Sequence, residues 1–408
     1  MNLLLVEVIY LNREDFPMLN KDYIYFDNGA TTFKPKKVIE KIVDYYSNYS
    51  ANAHRGDYDI SHKVDMEYEN TRRVVRKFIN AKSSDEIIFT SGTTDSMNQI
   101  VFSFMKYYLH DGDEVLITKT EHASNVLPWF ELEKEIGIKV KFIPLDENKK
   151  ITIENLENSI NEKTKVVSIA YVTNVIGDIR PILEISKLVH KKDILLVVDG
   201  AQSVPHMKTD VIRDNIDFLA FSAHKMLGPT GVGVLYGKKK YLEMMRPFKY
   251  GGGMNSNFSS NKDVEYKDVP LRLEAGTQNI AGVLGLKEAI IYLDSIGMDK
   301  IQEHEKKLRE YLIDKLKKID NITVYNENSE AGIVIFNINK IFAEDASKYL
   351  NHYHICVRAG NHCSKMVKDE IIVKNTCRIS LYLYNTFEEI DKLINILEDS
   401  KNIYDIIL

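Results

Sequence analysis

The sequence predicts an α/β fold: a large domain on a mainly parallel sheet, followed by a smaller α+β domain. Three observations carry that expectation. Short apolar, β-branched runs recur up to about residue 250, with amphipathic segments between several of them. Strands that alternate with helices build parallel sheets covered on both faces. The pattern then breaks at Gly251–Val269, which is rich in Gly, Asn and Ser and reads as an irregular excursion. Beyond it come a long helix with Lys and Glu on its outer face and a second set of strands. At 408 residues the chain exceeds one compact core, and two or three domains are expected at roughly 150 residues each.

Taken in order, the first strands are expected at Ile87–Phe89, Val115–Ile117, Val140–Ile143 and Val166–Ile169. Ile194–Val198, Phe218–Phe221 and Val232–Leu235 complete the large sheet. Each is a run of four or so apolar residues, the length of a buried strand. Asp95–Leu109 and Ile182–His190 read as amphipathic helices between them. In the second unit the long helix is Asp299–Ile319. Strands follow at Ile322–Tyr325 and Gly332–Asn337, a helix at Ala343–Tyr353, a strand at Cys377–Tyr384 and a last helix opening at Thr386. Glu388 and Glu389 in that helix's first turn suit its dipole. Met1–Tyr10 is apolar but contains Glu7 and lacks a basic start and a small-residue cleavage site, so it reads as a docking strand or helix rather than a signal peptide.

Composition narrows the function. Hydrophobic residues make up 44%, enough for large cores, which excludes a disordered chain. With 54 basic and 59 acidic residues the net charge is −5 and no basic cluster dominates, so no nucleic-acid partner is expected. No apolar run approaches the ~20 residues needed to span a bilayer, so no membrane partner is expected either. The three cysteines, Cys356, Cys363 and Cys377, are odd in number and late in the chain, which argues for a reducing, cytoplasmic setting over a disulfide framework. No metal site is expected.

Four short stretches carry chemistry. Ser222-Ala223-His224-Lys225-Met226-Leu227-Gly228-Pro229 follows a strand and puts a lysine where open α/β sheets place their ligands. Alone, it would pass for a lysine in a surface loop. The end of an earlier strand carries Asp199-Gly200-Ala201-Gln202. A lysine and a carboxylate so placed are what pyridoxal phosphate (PLP) needs, one to bond it covalently and one to keep its pyridine nitrogen protonated. Thr90-Ser91-Gly92-Thr93-Thr94-Asp95 is a hydroxyl-rich turn at a helix start, either a phosphate cradle or an ordinary N-cap. It has neither the GxGxxG spacing of a dinucleotide site nor the GK[ST] of a P-loop, which counts against a nicotinamide enzyme or an NTPase. In Glu121-His122-Ala123-Ser124-Asn125, His122 could stack on an aromatic ring, although a lone histidine is more often only hydrogen-bonded.

A fifth stretch is Arg358-Ala359-Gly360-Asn361-His362-Cys363. Arg358, His362 and Lys365 place positive or potentially positive charge near Cys363, which favours a nucleophilic thiolate. Cys356 and Cys377 lie in apolar, strand-like runs and are expected to be buried and inert.

Together these motifs resemble the class V aminotransferase-like PLP enzymes, and most closely the group II (SufS-type) cysteine desulfurases. The resemblance runs from Tyr25-Phe26-Asp27-Asn28-Gly29-Ala30-Thr31-Thr32 to Cys377-Arg378-Ile379-Ser380. It includes Asn52-Ala53-His54-Arg55-Gly56, Thr173-Asn174-Val175-Ile176-Gly177 and Arg272-Leu273-Glu274-Ala275-Gly276-Thr277. It implies a fold-type I PLP-dependent transferase, aspartate aminotransferase-like. An N-terminal segment (1–24) would pack with the small domain, 25–292 would form the large PLP-binding domain, and 293–408 the small domain carrying the cysteine loop.

The resemblance also implies roles. Lys225 bonds PLP and moves protons at the substrate Cα. Asp199 pairs with the ring nitrogen, Gln202 meets the ring oxygen and His122 stacks on the ring. Thr93, Thr94, Ser222 and His224 hold the phosphate. Thr277 reaches the phosphate of a neighbouring subunit's cofactor, implying a homodimer. Arg378, helped by Asn174, binds the substrate carboxylate, and Arg358, His54 and Arg55 join the substrate site. Cys363 attacks the sulfur of L-cysteine and carries it as a persulfide while alanine leaves. A SufE- or SufU-like protein would then take the sulfur for iron–sulfur cluster assembly. Asn361 stands where the family usually has His, which leaves substrate preference open.

Selenocysteine lyase and cysteine-sulfinate desulfinase share this scaffold and are the nearest rival activities. A plain aminotransferase has no use for Cys363. A non-catalytic scaffold would have no need of Lys225, Asp199 and His122 together.

Overall fold

The computed structural model describes residues 11–54, 56–399 and 403–404. The expectation for Met1–Tyr10 lies outside the described residues. The large sheet has seven strands in the order Ile87–Thr90, Gly233–Gly237, Phe218–Ser222, Leu195–Asp199, Thr164–Ala170, Glu114–Ile117 and Lys139–Phe142. Gly233–Gly237 runs antiparallel to both of its neighbours and every other pairing is parallel. Leu195–Asp199 and Phe218–Ser222 are buried at every position, which is why they read as unbroken apolar runs rather than alternating ones. Lys139–Phe142 closes one edge. Its Lys139 and Lys141 are exposed there and discourage pairing with another strand.

Ile280–Ile296 is a helix that the sequence expectation lacked, and it packs against helices Lys36–Asn48 and Asp59–Phe78. It is buried on nearly every side, so its apolar residues show no helical period to read. Gly251–Val269 is more ordered than expected. It contains an antiparallel hairpin, Asn255–Phe258 with Val264–Tyr266, whose exposed strands carry too few buried residues to betray themselves. The helix expected at Asp95–Leu109 begins at Thr93 and passes through a π-helical segment, Ile100–Met105.

The second sheet has four antiparallel strands in the order Ile322–Val324, Ile333–Ile338, Thr376–Ser380 and Arg358–Gly360. The strand expected at Cys377–Tyr384 ends at Ser380. One face of this sheet is covered by Met298–Leu316, Ala343–His352 and Phe387–Glu398, which share a core cluster with Val334, Phe336 and Ile379, while Ile335 on the other face packs with Val175 and Ile176 of the large domain. Ile24–Tyr25 adds a short parallel pair with Ile355–Cys356, and Arg13 forms an ion pair with Glu389 at 2.7 Å. Among the described residues no helix is long and apolar enough to cross a membrane.

This topology decides where chemistry can sit. Four parallel strands end at Ile117, Ala170, Asp199 and Ser222, and their following turns emerge on one edge of the sheet. Ile87–Thr90 points the same way, being antiparallel to the one reversed strand. That edge is where open α/β sheets bind ligands.

Candidate active site

The turns at that edge and one loop of the small sheet enclose a cavity of about 230 Å³. From the large sheet it receives Thr93, Thr94, His122, Asn174, Asp199, Gln202, Ser222, His224 and Lys225, and from the small one Arg358, His362, Cys363 and Arg378. Thr277 and His54 are not among its walls. Thr277 is exposed, its Oγ1 accepting from Asn52 Nδ2 at 3.2 Å. His54 lines a separate small pocket with Tyr68 and Glu274, where hydrogen bonding to Glu69 raises its pKa. Arg55 lies outside the described residues.

Lys225 sits in the 3-10 turn Ala223–Lys225, directly after its strand. Burial and the charges of Arg378 and Arg358 lower its pKa to about 8, against the pull of Asp199. Asp199 ends the neighbouring strand and is only 4% exposed. Its Oδ1 accepts the Ala201 N–H at 2.9 Å, and burial pushes its pKa up to about 6. A carboxylate this deeply buried is poorly solvated and gains much from a cationic partner.

His122 Nδ1 accepts the Ser124 N–H at 3.1 Å, so the ring proton belongs on Nε2. Burial and the nearby Lys225 hold its pKa at about 4, and the ring is neutral. Ser124, which the sequence reading did not single out, also meets Thr94, Oγ to Oγ1, at 2.6 Å. Ser222 Oγ accepts the Thr93 N–H at 2.8 Å and meets Thr93 Oγ1 at 2.7 Å. These hydroxyls gather around a helix start whose first amides have no carbonyl to bond within the helix. Gly233 permits the gathering: a Cβ there would fall 2.4 Å from the Gly92 Cα.

On the other wall Arg358 and Arg378 are register partners in adjacent strands. Like charges directly opposite one another are unfavourable, so the pair marks a place for an anion. Arg378 is 2% exposed, donates to Asn174 O at 3.0 Å and to Asp27 Oδ1 at 2.9 Å, and keeps a buried Nε without a partner. Arg358 Nη2 donates to Cys363 Sγ at 3.7 Å. His362 corrects the expectation of a second cation beside the thiol. It is buried, bonded through Nε2 to Thr376 Oγ1 at 2.9 Å, and burial holds its pKa down at about 3. Lys365 is exposed, and the hydrogen bond to the sulfur comes from Arg358.

Cys363 is the exposed cysteine of the three. Cys377 is buried and its pKa is pushed up to about 12 by burial. Cys356 departs from the expectation of full burial: it is half-buried on its short strand, and burial still raises its pKa.

Pyridoxal phosphate fits these residues. Gln202 lines the cavity and donates through Nε2 to Gly29 O at 2.8 Å, which leaves its second amide N–H for a ring oxygen; its buried Oε1, itself an acceptor, has no partner. The under-solvated Asp199, the hydroxyl-lined helix start and the neutral His122 ring match the groups that such a cofactor presents: a protonated ring nitrogen, a phosphate and a flat face.

The class-V aminotransferase pattern matches residues 24–393. The chain belongs to that family. A probable cysteine desulfurase from Halalkalibacterium halodurans is 43% identical over 394 residues, 95% of this chain and 97% of the relative. One from Staphylococcus aureus is 40% identical over 398 residues, 96% of each. Among solved structures, the apo cysteine desulfurase from Thermococcus onnurineus superposes with a TM-score of 0.91 at 35% identity, covering 95% of this chain and 96% of the other. An Escherichia coli cysteine desulfurase in an S-sulfonic acid form gives 0.90 at 31%, covering 97% and 98%. Fold-type I architecture, with its mostly parallel central sheet, is thereby shared with this family.

Proposed function

We propose that this chain is a PLP-dependent cysteine desulfurase, moving the sulfur of L-cysteine onto Cys363 and releasing L-alanine. The observation that carries the reading is the meeting in one cavity of Lys225 and Asp199 from the large sheet with Cys363 and Arg358 from the small one. Relatives named cysteine desulfurase along nearly the whole chain support it.

Lys225, Asp199, Gln202 and His122 would hold the cofactor's ring, and Thr93, Thr94, Ser222 and His224 its phosphate. When bound, the cofactor supplies an electron sink for charge released at the substrate Cα. Lys225, with its pKa near 8, is suited to take and return a proton at that carbon close to neutral pH. Arg378 offers the substrate carboxylate a buried positive charge and its free Nε. Arg358 sets a guanidinium beside the attacking sulfur. Cys363 Sγ bonds to the substrate sulfur as the Cβ–S bond breaks. The electron pair of that bond stays with the three-carbon fragment, which takes up the thiol's proton and becomes alanine. Cysteine and an enzyme thiol thus give alanine and an enzyme persulfide.

Three further parts of the proposal follow. The exposure of Cys363 suits delivery of the persulfide to a SufE- or SufU-like acceptor serving iron–sulfur cluster assembly. Exposed Ile39, Val43 and Tyr46, three and four residues apart on one helix, offer an apolar stripe for a homodimer in which Thr277 serves the neighbouring site. The three free thiols suit the cytoplasm. The test is an assay of alanine and sulfide from L-cysteine in the presence of a thiol reductant. Equal amounts of both are expected, and PLP-loaded protein that releases neither overturns the reading.

A further inference from the structure

The backbone that carries Cys363 is held in an unfavourable shape. His362 (φ 53°) and Cys363 (φ 61°) are consecutive non-glycine residues in the left-handed region, and Gly360 before them has φ 115°. Such a run persists only where surrounding contacts over-determine it. The contacts are specific. Asn361 Oδ1 accepts the Cys363 N–H at 3.2 Å, and the Cys363 carbonyl accepts the Ala123 N–H, next to His122, at 2.9 Å. The two residues flanking the cysteine are both held by one side chain: Asn174 Nδ2 donates to His362 O at 2.8 Å, and Asn174 Oδ1 accepts from Ser364 Oγ at 2.8 Å.

Asn174 is itself 6% exposed and sits past the end of the Thr164–Ala170 strand, on the large-sheet side of the cavity. Its carbonyl accepts from Arg378 Nη1 at 3.0 Å. Its side-chain amide thus holds the loop through both its nitrogen and its oxygen, with a second N–H left over, while its backbone leans on the arginine that would meet the substrate's carboxylate.

We propose that Asn174 is a positioning residue: its amide clamps residues 362 and 364 and so fixes where the Cys363 sulfur stands over the cavity, in addition to any contact it makes with the substrate carboxylate. This rests on Cys363 being the sulfur acceptor, as proposed above. Ser364, buried at 1% exposure and not among the cavity walls, is the other half of the clamp and gives an independent handle.

The test pairs Ser364→Ala with Asn174→Ala in the PLP-loaded enzyme, reading kcat and KM for cysteine and the rate at which iodoacetamide alkylates Cys363. Losing one neutral hydrogen bond corresponds to about a 3- to 10-fold change in the clamped population. Ser364→Ala is expected to lower kcat by about that factor with KM within about twofold, and to change the alkylation rate in step. Asn174→Ala is expected to act in the same direction and more strongly. Unchanged kcat and alkylation in Ser364→Ala overturn the proposal. So does an Asn174→Ala enzyme that only raises KM, since that is the signature of a carboxylate ligand. Alkylation needs no turnover, so a protein that proves not to desulfurate cysteine would sink the functional reading while the clamp still stood or fell on this readout.

Discussion

Asp199→Asn separates the cost of the active site from its use. Burial raises the Asp199 pKa from 3.8 to about 6 in the protein without cofactor. A raised carboxylate pKa means that the folded state holds its proton more tightly than the unfolded chain does. The associated stability is fully present below pH 3.8 and is lost as pH rises through 6. Two pKa units at 1.36 kcal/mol each make the loss roughly 3 kcal/mol at pH 8 and about half that at pH 5. The substituted amide keeps an oxygen that can accept the Ala201 N–H and carries no charge to desolvate. Cofactor-free Asp199→Asn should therefore be more stable than the parent by up to about 3 kcal/mol at pH 8, with the gain shrinking toward pH 5. The same variant should bind PLP more weakly, because the partner of the ring nitrogen is gone. Urea unfolding of both apo proteins at the two pH values, with PLP titration followed by absorbance, provides the assay. A gain that is equal at both pH values, or a loss at pH 8, would refute the electrostatic argument. Undiminished PLP affinity would refute the role of Asp199.

Other predictions follow from the same geometry. Lys225→Ala should lose the near-visible absorbance and the borohydride-reducible adduct of the purified protein together with turnover; a variant that keeps both adduct and activity removes Lys225 from its assigned place. Gly233→Ala puts a methyl group against the Gly92 backbone and should cost about 1–3 kcal/mol in thermal or urea unfolding, with weaker PLP binding because the hydroxyl-lined turn is pushed aside. Unchanged stability and affinity would mean that the turn moves freely. Cys356→Ser and Cys377→Ser should keep full alanine release, the latter at a cost of roughly 1–3 kcal/mol in urea unfolding for burying a hydroxyl in place of a thiol. Loss of alanine release in either variant would place a second thiol in the chemistry.

Much of this was legible in the sequence, for a physical reason. The inner strands of the large sheet lie near their expected places because a strand buried on both faces must be a short apolar run, as at Phe218–Ser222, whereas the exposed edge strand Lys139–Phe142 was legible only through its alternating Val140 and Phe142. The turns carrying Lys225, Asp199 and His122 could be placed because parallel topology sends them to one edge. What stayed hidden depends on partners distant in the chain. Ile280–Ile296 is apolar all round, so periodicity is silent. His362 looked like a cation because charge state cannot be read before burial is known. The bonds of Asn174 to residues 362 and 364 exist only after the two sheets meet, so no sequence pattern announces them. Ser124 and Asp27 gave no signal beyond lying in stretches already singled out.

The central claim is that Cys363 accepts the sulfur. Peptide mass spectrometry after a single turnover with L-cysteine tests it most directly, on the parent protein and on Cys363→Ser. Arg358 stands at the Cys363 sulfur, whereas burial raises the pKa values of the other two thiols. The added sulfur should therefore appear on the peptide containing Cys363, and Cys363→Ser should bind cysteine without releasing alanine. Sulfur on Cys356 or Cys377, or normal alanine release by Cys363→Ser, would contradict the account.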